Sequence, residues 1–214
     1  AASDVYKRQL KEKMTDDIWY KALERQMAQN GLLIQSNRIA ALKKISSAQE
    51  NSTTTFPIAE LSLSKKNGDL TTDEDEFVKA LSENRQLDVM AGRTLIGPHR
   101  SDMEATYKEK GISAKDSSTG EQKAMLISIV LANARALKLE LGYPPVILLD
   151  EISAHLDIDR RGALYQEINA LGAQAWMTGT DKNLFSEFGC KAKYFHVIES
   201  SGISDIKELD FSVD

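Results

Sequence analysis

Val146-Ile147-Leu148-Leu149-Asp150-Glu151 is the stretch on which the fold turns. Four apolar residues without polar alternation read as a strand in the middle of a parallel sheet, with both faces covered. In open α/β sheets ligands sit off the carboxyl ends of the strands, and here two acids stand at such an end. An Asp at that position can hold Mg²⁺, usually through its water shell, because the ion keeps several waters. A Glu behind it can polarise a water for attack on a terminal phosphate. The same run also suits a strand that ends in a polar turn, with the Glu capping the next element, and by itself it does not choose between the two.

The flanking sequence supplies the layers. Upstream, a helix is predicted over Glu121 to Leu141, apolar almost all round (Met125, Leu126, Ile129, Val130, Leu137) and so buried on more than one side. Gly142-Tyr143-Pro144-Pro145 ends it, with Gly just past the helix and Pro beyond. Downstream, Ile158 to Leu171 is helical, Ala175 to Thr180 is a buried strand with a polar exit, and Tyr194 to Ile198 is a last strand. Strand–helix–strand–helix–strand implies an α/β layer structure. Ser118-Thr119-Gly120 opens the buried helix. Free N–H groups and the dipole make that an anion site, with Gly120 permitting close backbone approach and the Ser118 hydroxyl able to donate to a phosphate oxygen. An ordinary N-cap, with Glu121 or Gln122 completing a capping box, fits the same residues, and both can hold together.

The first half reads as helical. Leu10, Met14 and Ile18 repeat at i+4, and Trp19, Leu23 and Met27 do so on an adjacent stripe. Gly31 is expected to interrupt or loosen this helix, since Gly costs a helix about 1 kcal/mol, and a second segment bearing Leu32, Ile39, Leu42 and Ile45 follows, the two together reading as a helical hairpin. A polar loop at 49–55, a short strand within Phe56 to Leu63 and a turn at Asn67-Gly68-Asp69 follow. Asp73 to Glu76 place acids in a first helical turn, where they suit the dipole. A metal reading of this run yields to that simpler one. Phe77, Leu81 and Leu87 give that helix its apolar face. Thr94 to Arg100 is an apolar stub ending in a turn, and Ala105 to Tyr107 a strand with a hairpin tip at Lys108–Gly111.

Composition excludes several classes. The 214 residues are 42% hydrophobic, enough for one sizeable core or one core plus a satellite, and the net charge of −5 gives no bulk attraction to nucleic acid. Any DNA contact must therefore rest on local patches or on another part of the protein. One cysteine, Cys190, allows no disulfide within the chain, and His99, His155 and His196 are scattered without metal-ligand spacing. No apolar run approaches bilayer length and no signal peptide is visible, which favours a cytoplasmic setting without a membrane. The start has no Met, and Asp4-Val5-Tyr6-Lys7-Arg8-Gln9 is what GAT-GTG-TAT-AAG-AGA-CAG encodes, similar to a sequencing-adaptor end. Residues 1–9 are accordingly expected to be read-through rather than fold.

Several motifs in order carry a resemblance. Gly97-Pro98-His99-Arg100-Ser101-Asp102, Ser118-Thr119-Gly120-Glu121-Gln122-Lys123-Ala124, the Asp150-Glu151 strand and Ser153-Ala154-His155-Leu156-Asp157 together resemble the ABC-type ATPases, and among them the bacterial RecF family. Trp19, Leu23, Gly31 and Arg38 are spaced as in that family's inserted helical domain, and Asp88, Gly92 and Thr94 lead into the Gly-Pro-His-Arg turn in the same way. The resemblance implies an α/β fold: the C-terminal lobe of an ABC-type ATPase with a largely parallel sheet over 91–214, and a helical insert with a return strand over 10–90. It implies ATP and Mg²⁺ as cofactors, with Asp150 on the metal and Glu151 as catalytic base. Ser118, Gly120 and Gln122 would be signature residues toward ATP held by the other protomer. Asp157 would be the acid at the dimer interface, and Thr180 or Asp181 would stand at the switch position where many ABC proteins place a His.

The signature departs from L-S-G-G-Q: Ser117 replaces Leu, Thr119 the first Gly and Glu121 the Gln. The family's partners would be DNA with single-strand/duplex junctions or gaps, a second copy in an ATP-dependent dimer, and mediators of the RecR and RecO type, in DNA repair and the SOS response. No G-x-x-x-x-G-K-[S/T] occurs, so the phosphate-cradling lobe is expected to lie outside this chain. A chromosome-maintenance head with a long coiled coil is the first rival, disfavoured by short helical segments. A transporter ATPase is disfavoured by the Gly-Pro-His-Arg turn. A non-hydrolysing DNA- or protein-binding module is the other rival, and the intact acid pair argues against it.

Overall fold

The computed structural model describes residues 4–6, 8, 17–52, 54–65, 71–151 and 156–209. The turn expected at 67–69 and the segment Ser153 to His155 lie outside the described residues. The chain divides into two compact units, Ala1–Ser47 with Ala59–Ala114, and Ala48–Ile58 with Lys115–Asp214. The break after Ala114 lies downstream of residue 90, so the Gly97–Arg100 turn belongs to the helical unit.

In the first unit, helix α1 (Asp17–Glu50) runs unbroken for 34 residues. The break expected at Gly31, and with it the two-helix hairpin, does not form. A Cβ at Gly31 would stand 2.7 Å from Phe77 Cε1, so the glycine gives up about 1 kcal/mol of helix propensity and gains the close approach of helix α2 (Glu74–Ala91). Asp73 caps α2 by accepting from Glu76 N at 2.8 Å, and Gly92 ends it in the left-handed region at φ 62°. Ala28, Phe77 and Leu81 form the apolar contact, with Met27, Leu32, Val78 and Ile96 at its margin.

A polar seam runs beside this contact. Glu24 is fully buried and accepts from Arg85 Nε at 2.7 Å and Nη2 at 2.9 Å, while the guanidinium lies 4.8 Å over the Tyr20 ring. Asp88 is also fully buried, accepting from Asn84 Nδ2 (2.7 Å), Leu95 N (2.9 Å) and Tyr6 Oη (3.2 Å). Burial pushes the Asp88 carboxyl above its ordinary value, and the three donors pull the other way. Tyr6, within the segment expected to be read-through, is buried edge-to-face on Tyr20 at 5.8 Å.

Strand β1 (Ala59–Lys65) pairs antiparallel with β2 (Ser101–Tyr107), and β2 with β3 (Ile112–Ser113). The ladder extends to Lys65↔Ser101, which carries β2 four residues upstream of the Ala105 start expected from sequence. Before it, Pro98–Arg100 form a single 3-10 turn entered through Gly97 at φ 140°, a glycine-only conformation. Arg38 of α1 donates to Pro98 O (2.5 Å) and Ser101 Oγ (3.0 Å), and His99 Nε2 donates to Thr94 O (2.9 Å), so the turn is held from both sides.

In the second unit, helix α3 (Thr119–Leu141) and helix α4 (Ile158–Leu171) cover one face of a parallel pair, β4 (Ile147–Leu149) and β5 (Ala175–Met177). Ile147 and Leu149 share a core with Ala124, Ile127, Leu131, Leu164 and Ile168. Buried Met125 and Ser128 lie elsewhere on α3, and Ser128 Oγ donates to Gln49 Oε1 at 3.2 Å, so the helix is covered on more than one side. Arg135 pairs with Glu167, and Lys138 Nζ donates to Leu171 O at 2.8 Å, tying α3 to α4. A 3-10 segment (Lys182–Lys191) follows β5, and β6 (Tyr194–Ser200) and β7 (Ile203–Leu209) close the described chain as an antiparallel hairpin. Helix and sheet are mixed, and parallel pairing among the described residues is confined to β4 and β5.

The expectation that both faces of β4 are covered does not hold in this chain. Side chains alternate along a strand: Ile147 and Leu149 point to the helices, but Leu148 is 74% exposed on the other face. Its register partner Trp176 is 56% exposed and stacks on Phe195 of β6 at 6.4 Å. Val197 and its partner Ile206 are exposed beyond it.

Candidate functional site

The register Leu149↔Met177 places the residues after β4 and β5 side by side. Thr178 N donates to Leu149 O at 3.0 Å, continuing the ladder one step. The Thr178 hydroxyl then donates to Asp150 Oδ1 at 2.5 Å and accepts from Glu151 N at 3.0 Å. One side chain on β5's exit thus fixes both acids on β4's exit. Glu151 holds φ +50°, a left-handed conformation uncommon for a residue with a Cβ and of the kind that collects at functional sites. Both acids are exposed. Among the described residues no group of three or more His, Cys, Asp and Glu could cage a metal ion. Exposed carboxylates of this kind suit Mg²⁺, which keeps several waters and takes one or two carboxylates.

The start of α3 is a complete capping box. Ser118 Oγ accepts from Glu121 N at 3.4 Å, while Glu121 Oε2 accepts from Ser118 N at 2.8 Å and from Ser118 Oγ at 2.7 Å. Gln122 Nε2 folds back to Ser117 O at 3.1 Å. A Cβ at Gly120 would meet nothing within 4 Å, so the chain's own packing does not require glycine there. Asp157 caps α4, accepting from Arg160 N at 2.8 Å. Asp181 caps the 3-10 segment, accepting from Asn183 N at 2.9 Å, with exposed Thr180 just before it.

Asp150 and Glu151 are therefore joined in one hydrogen-bonded group, whereas Ser118, Asp157 and Asp181 each serve the start of their own element. The residue that joins the acids is Thr178, two positions before the Thr180 that the resemblance sets at the switch. The parallel register would have found it, since any strand pair that aligns 149 with 177 puts 150 beside 178. His99 and Arg100 belong to the first unit, and the acids to the second.

No family model matches the chain. It is 44% identical over 197 residues to the DNA replication and repair protein RecF of Rhizobium meliloti, a match covering 89% of this chain and 53% of that protein. To RecF of Agrobacterium fabrum it is 43% identical over 197 residues, covering 89% and 52%. The chain thus spans about half the length of the curated relatives it matches. Among solved structures it is similar to the recombination mediator protein RecF-ATP in the RecFOR pathway, with a TM-score of 0.67 at 20% identity over 96% of this chain and 56% of that one. The RecF-ATPrS structure from the same pathway gives 0.65. That likeness shows a RecF-like fold, and by its identity to curated relatives along nearly its whole length the chain belongs to the RecF family.

Proposed function

We propose that this chain supplies the hydrolytic acids and the signature face of an ATP-dependent, DNA-acting ATPase of recombinational repair and replication. The observation that carries the reading is the Asp150–Thr178–Glu151 group at the carboxyl ends of a parallel pair, where α/β proteins bind ligands. Thr178 holds Oδ1 of Asp150 and leaves the second carboxylate oxygen of this exposed residue to the water shell of Mg²⁺. When bound, the ion supplies charge neutralisation at the phosphate oxygens. Glu151 accepts a proton from, and so orients, the water aimed at the terminal phosphate of ATP.

The other half of the site comes from a second copy. Gly120 is unconstrained by its own chain, as expected of a glycine whose role is close approach to another molecule. The start of α3 presents backbone N–H groups and the positive end of a 23-residue helix. Ser118, Gly120 and Gln122 would there meet the phosphates of ATP held by the partner, with Asp157 beside them at the interface. Thr180 and Asp181 stand where a switch residue would sense the terminal phosphate. The phosphate-binding cradle, the clamp on DNA at single-strand/duplex junctions and gaps, and docking of RecR- and RecO-type mediators belong to the whole protein in this reading. The solved relative named RecF-ATP in the RecFOR pathway supports the nucleotide and the pathway.

Glu151→Gln in the full-length protein tests it. The substitution keeps the shape and removes the base, so ATP hydrolysis should fall about 100-fold or more while ATP-dependent dimers persist, as read by phosphate release and sedimentation. Hydrolysis at the parental rate would refute the assignment and favour a module that binds without hydrolysing.

A further inference from the structure

Both donors that Ser118 could offer an incoming phosphate are already taken by one carboxylate oxygen of its own chain. Glu121 Oε2 accepts from Ser118 N at 2.8 Å and from Ser118 Oγ at 2.7 Å. A hydroxyl has a single proton to give, so while it points to Glu121 it is withheld from any phosphate. The Gln122 amide is turned inward as well, donating to Ser117 O at 3.1 Å. Glu121 stands where L-S-G-G-Q carries a glutamine. Glutamine can close the same capping box, but it would hold Ser118 through neutral hydrogen bonds. A carboxylate holds it through charge-assisted ones, roughly twice as strong. The anion also sits at the positive end of the 23-residue helix α3 and satisfies the field that would otherwise favour a phosphate there. Like charges brought together repel, so the carboxylate opposes a second anion at the same place. Packing does not: a Cβ at Gly120 would meet nothing within 4 Å, and the backbone beside Ser118 is open to approach.

The geometry points to Glu121 as an internal stand-in for the phosphate, a positioning residue that keeps the Ser118 donors occupied in the open protomer and turns away before the ATP sandwich closes. This rests on the reading of the α3 start as the face that meets ATP held by a second copy. Closure then exchanges one anion for another at the same donors. It proceeds only when the rest of the sandwich outweighs the loss of the carboxylate contacts. Once hydrolysis removes the terminal phosphate, the carboxylate is at hand to retake both donors, so it favours opening. Glu121 thereby sets the threshold of ATP-dependent dimerisation and shortens the life of the dimer.

The test uses the full-length protein with the slowly hydrolysed analogue ATPγS, with the dimer constant read by sedimentation equilibrium and the dimer lifetime by dilution. Glu121→Gln should lower the dimer Kd about tenfold or more, as charge-assisted bonds give way to neutral ones at both sites, and slow dissociation. Glu121→Ala, which removes the carboxylate outright, should tighten the dimer in the same direction. In a Ser118→Ala background the gain from Glu121→Gln should shrink, because the carboxylate no longer withholds a hydroxyl. Gly120→Leu separates this inference from the reading beneath it. A bulky side chain there should abolish the dimer, and a dimer of parental strength in that variant would overturn the phosphate reading of α3 together with the role of Glu121. If Gly120→Leu does abolish it, failure of both Glu121 variants to tighten the dimer, or an equal gain with and without the Ser118 hydroxyl, overturns the role of Glu121 alone.

Discussion

Thr178 links the two acids of the candidate site from the exit of the neighbouring strand. Its hydroxyl is donor to one acid and acceptor for the backbone of the other, so Thr178→Val removes both restraints in an isosteric side chain. In the full-length protein this should lower kcat about 10- to 100-fold, the effect of misplacing groups by about 1 Å, with little change in KM, and Thr178→Ser should restore most of it. Glu151 offers a complementary test. Its φ of +50° is disfavoured for L-residues by about 1–2 kcal/mol, so Glu151→Gly should leave stability unchanged or raised by up to about 1 kcal/mol while hydrolysis is lost. Chemical denaturation beside phosphate release separates the two.

Asp88 sets a pH dependence of opposite sign to the usual carboxylate. Burial holds its folded carboxyl above the ordinary value of 3.8. The stabilisation linked to its protonated form is therefore complete below that value and is lost as pH rises through the raised one. Asp88→Asn should flatten this fall, seen as a melting temperature that changes less from the ordinary carboxyl value upward. The sequence marked Asp88, Gly92 and Thr94 as a lead into the turn but gave no sign that Asp88 is buried. A lone carboxylate at a helix end reads as solvated until its donors, nearby Leu95 and distant Tyr6, are known.

At the level of elements, α1 and α2 are held by shape and by one buried ion pair. Glu24 is fully enclosed and pairs with Arg85. Removing only the cation leaves a carboxylate unpaired, so Arg85→Ala should destabilise by about 3–5 kcal/mol, measured from the denaturant midpoint. Replacing both partners with apolar residues should cost less, and Arg85→Lys should fall between, since lysine lacks the bidentate fork. Helix existence was legible from period and turn residues, and Ser118 and Gly142 cap as their types suggest, whereas the start of β2 lies four residues upstream of the one its apolar pattern marks. The continuity of α1 was not legible, because a glycine that breaks a helix and one that admits a neighbouring ring look alike until Phe77 is seen against it. The β6–β7 hairpin was half legible. Its second strand, Ile203–Leu209, carries apolar residues only at every third position, so it lacks the period-2 pattern that marks a strand before its partner is known.

For the whole molecule, the acid pair was legible because chemistry and strand pattern coincide in six consecutive residues. How those acids are oriented was not, since it depends on a residue 28 positions away from Asp150. The four-residue apolar run was read as covered on both sides, yet Leu148, Trp176, Phe195, Val197 and Ile206 line one open face of the second unit. An apolar surface of this kind promotes association. The isolated chain should therefore self-associate with rising concentration in sedimentation velocity, and Leu148→Lys with Val197→Lys should shift it toward monomer. No helix among the described residues is long and apolar enough to cross a membrane.

The stacked Trp176 has an optical consequence. The chain holds two tryptophans, Trp19 and Trp176, in different units. With Trp19 replaced by Phe, the indole between Leu148 and Phe195 becomes the sole intrinsic fluorophore reporting on that face. While half-exposed it should emit as a solvated indole that acrylamide quenches readily. Anything that seats against the sheet should move the emission to the blue and slow the quenching, which makes this residue a label-free gauge of assembly already built into the chain.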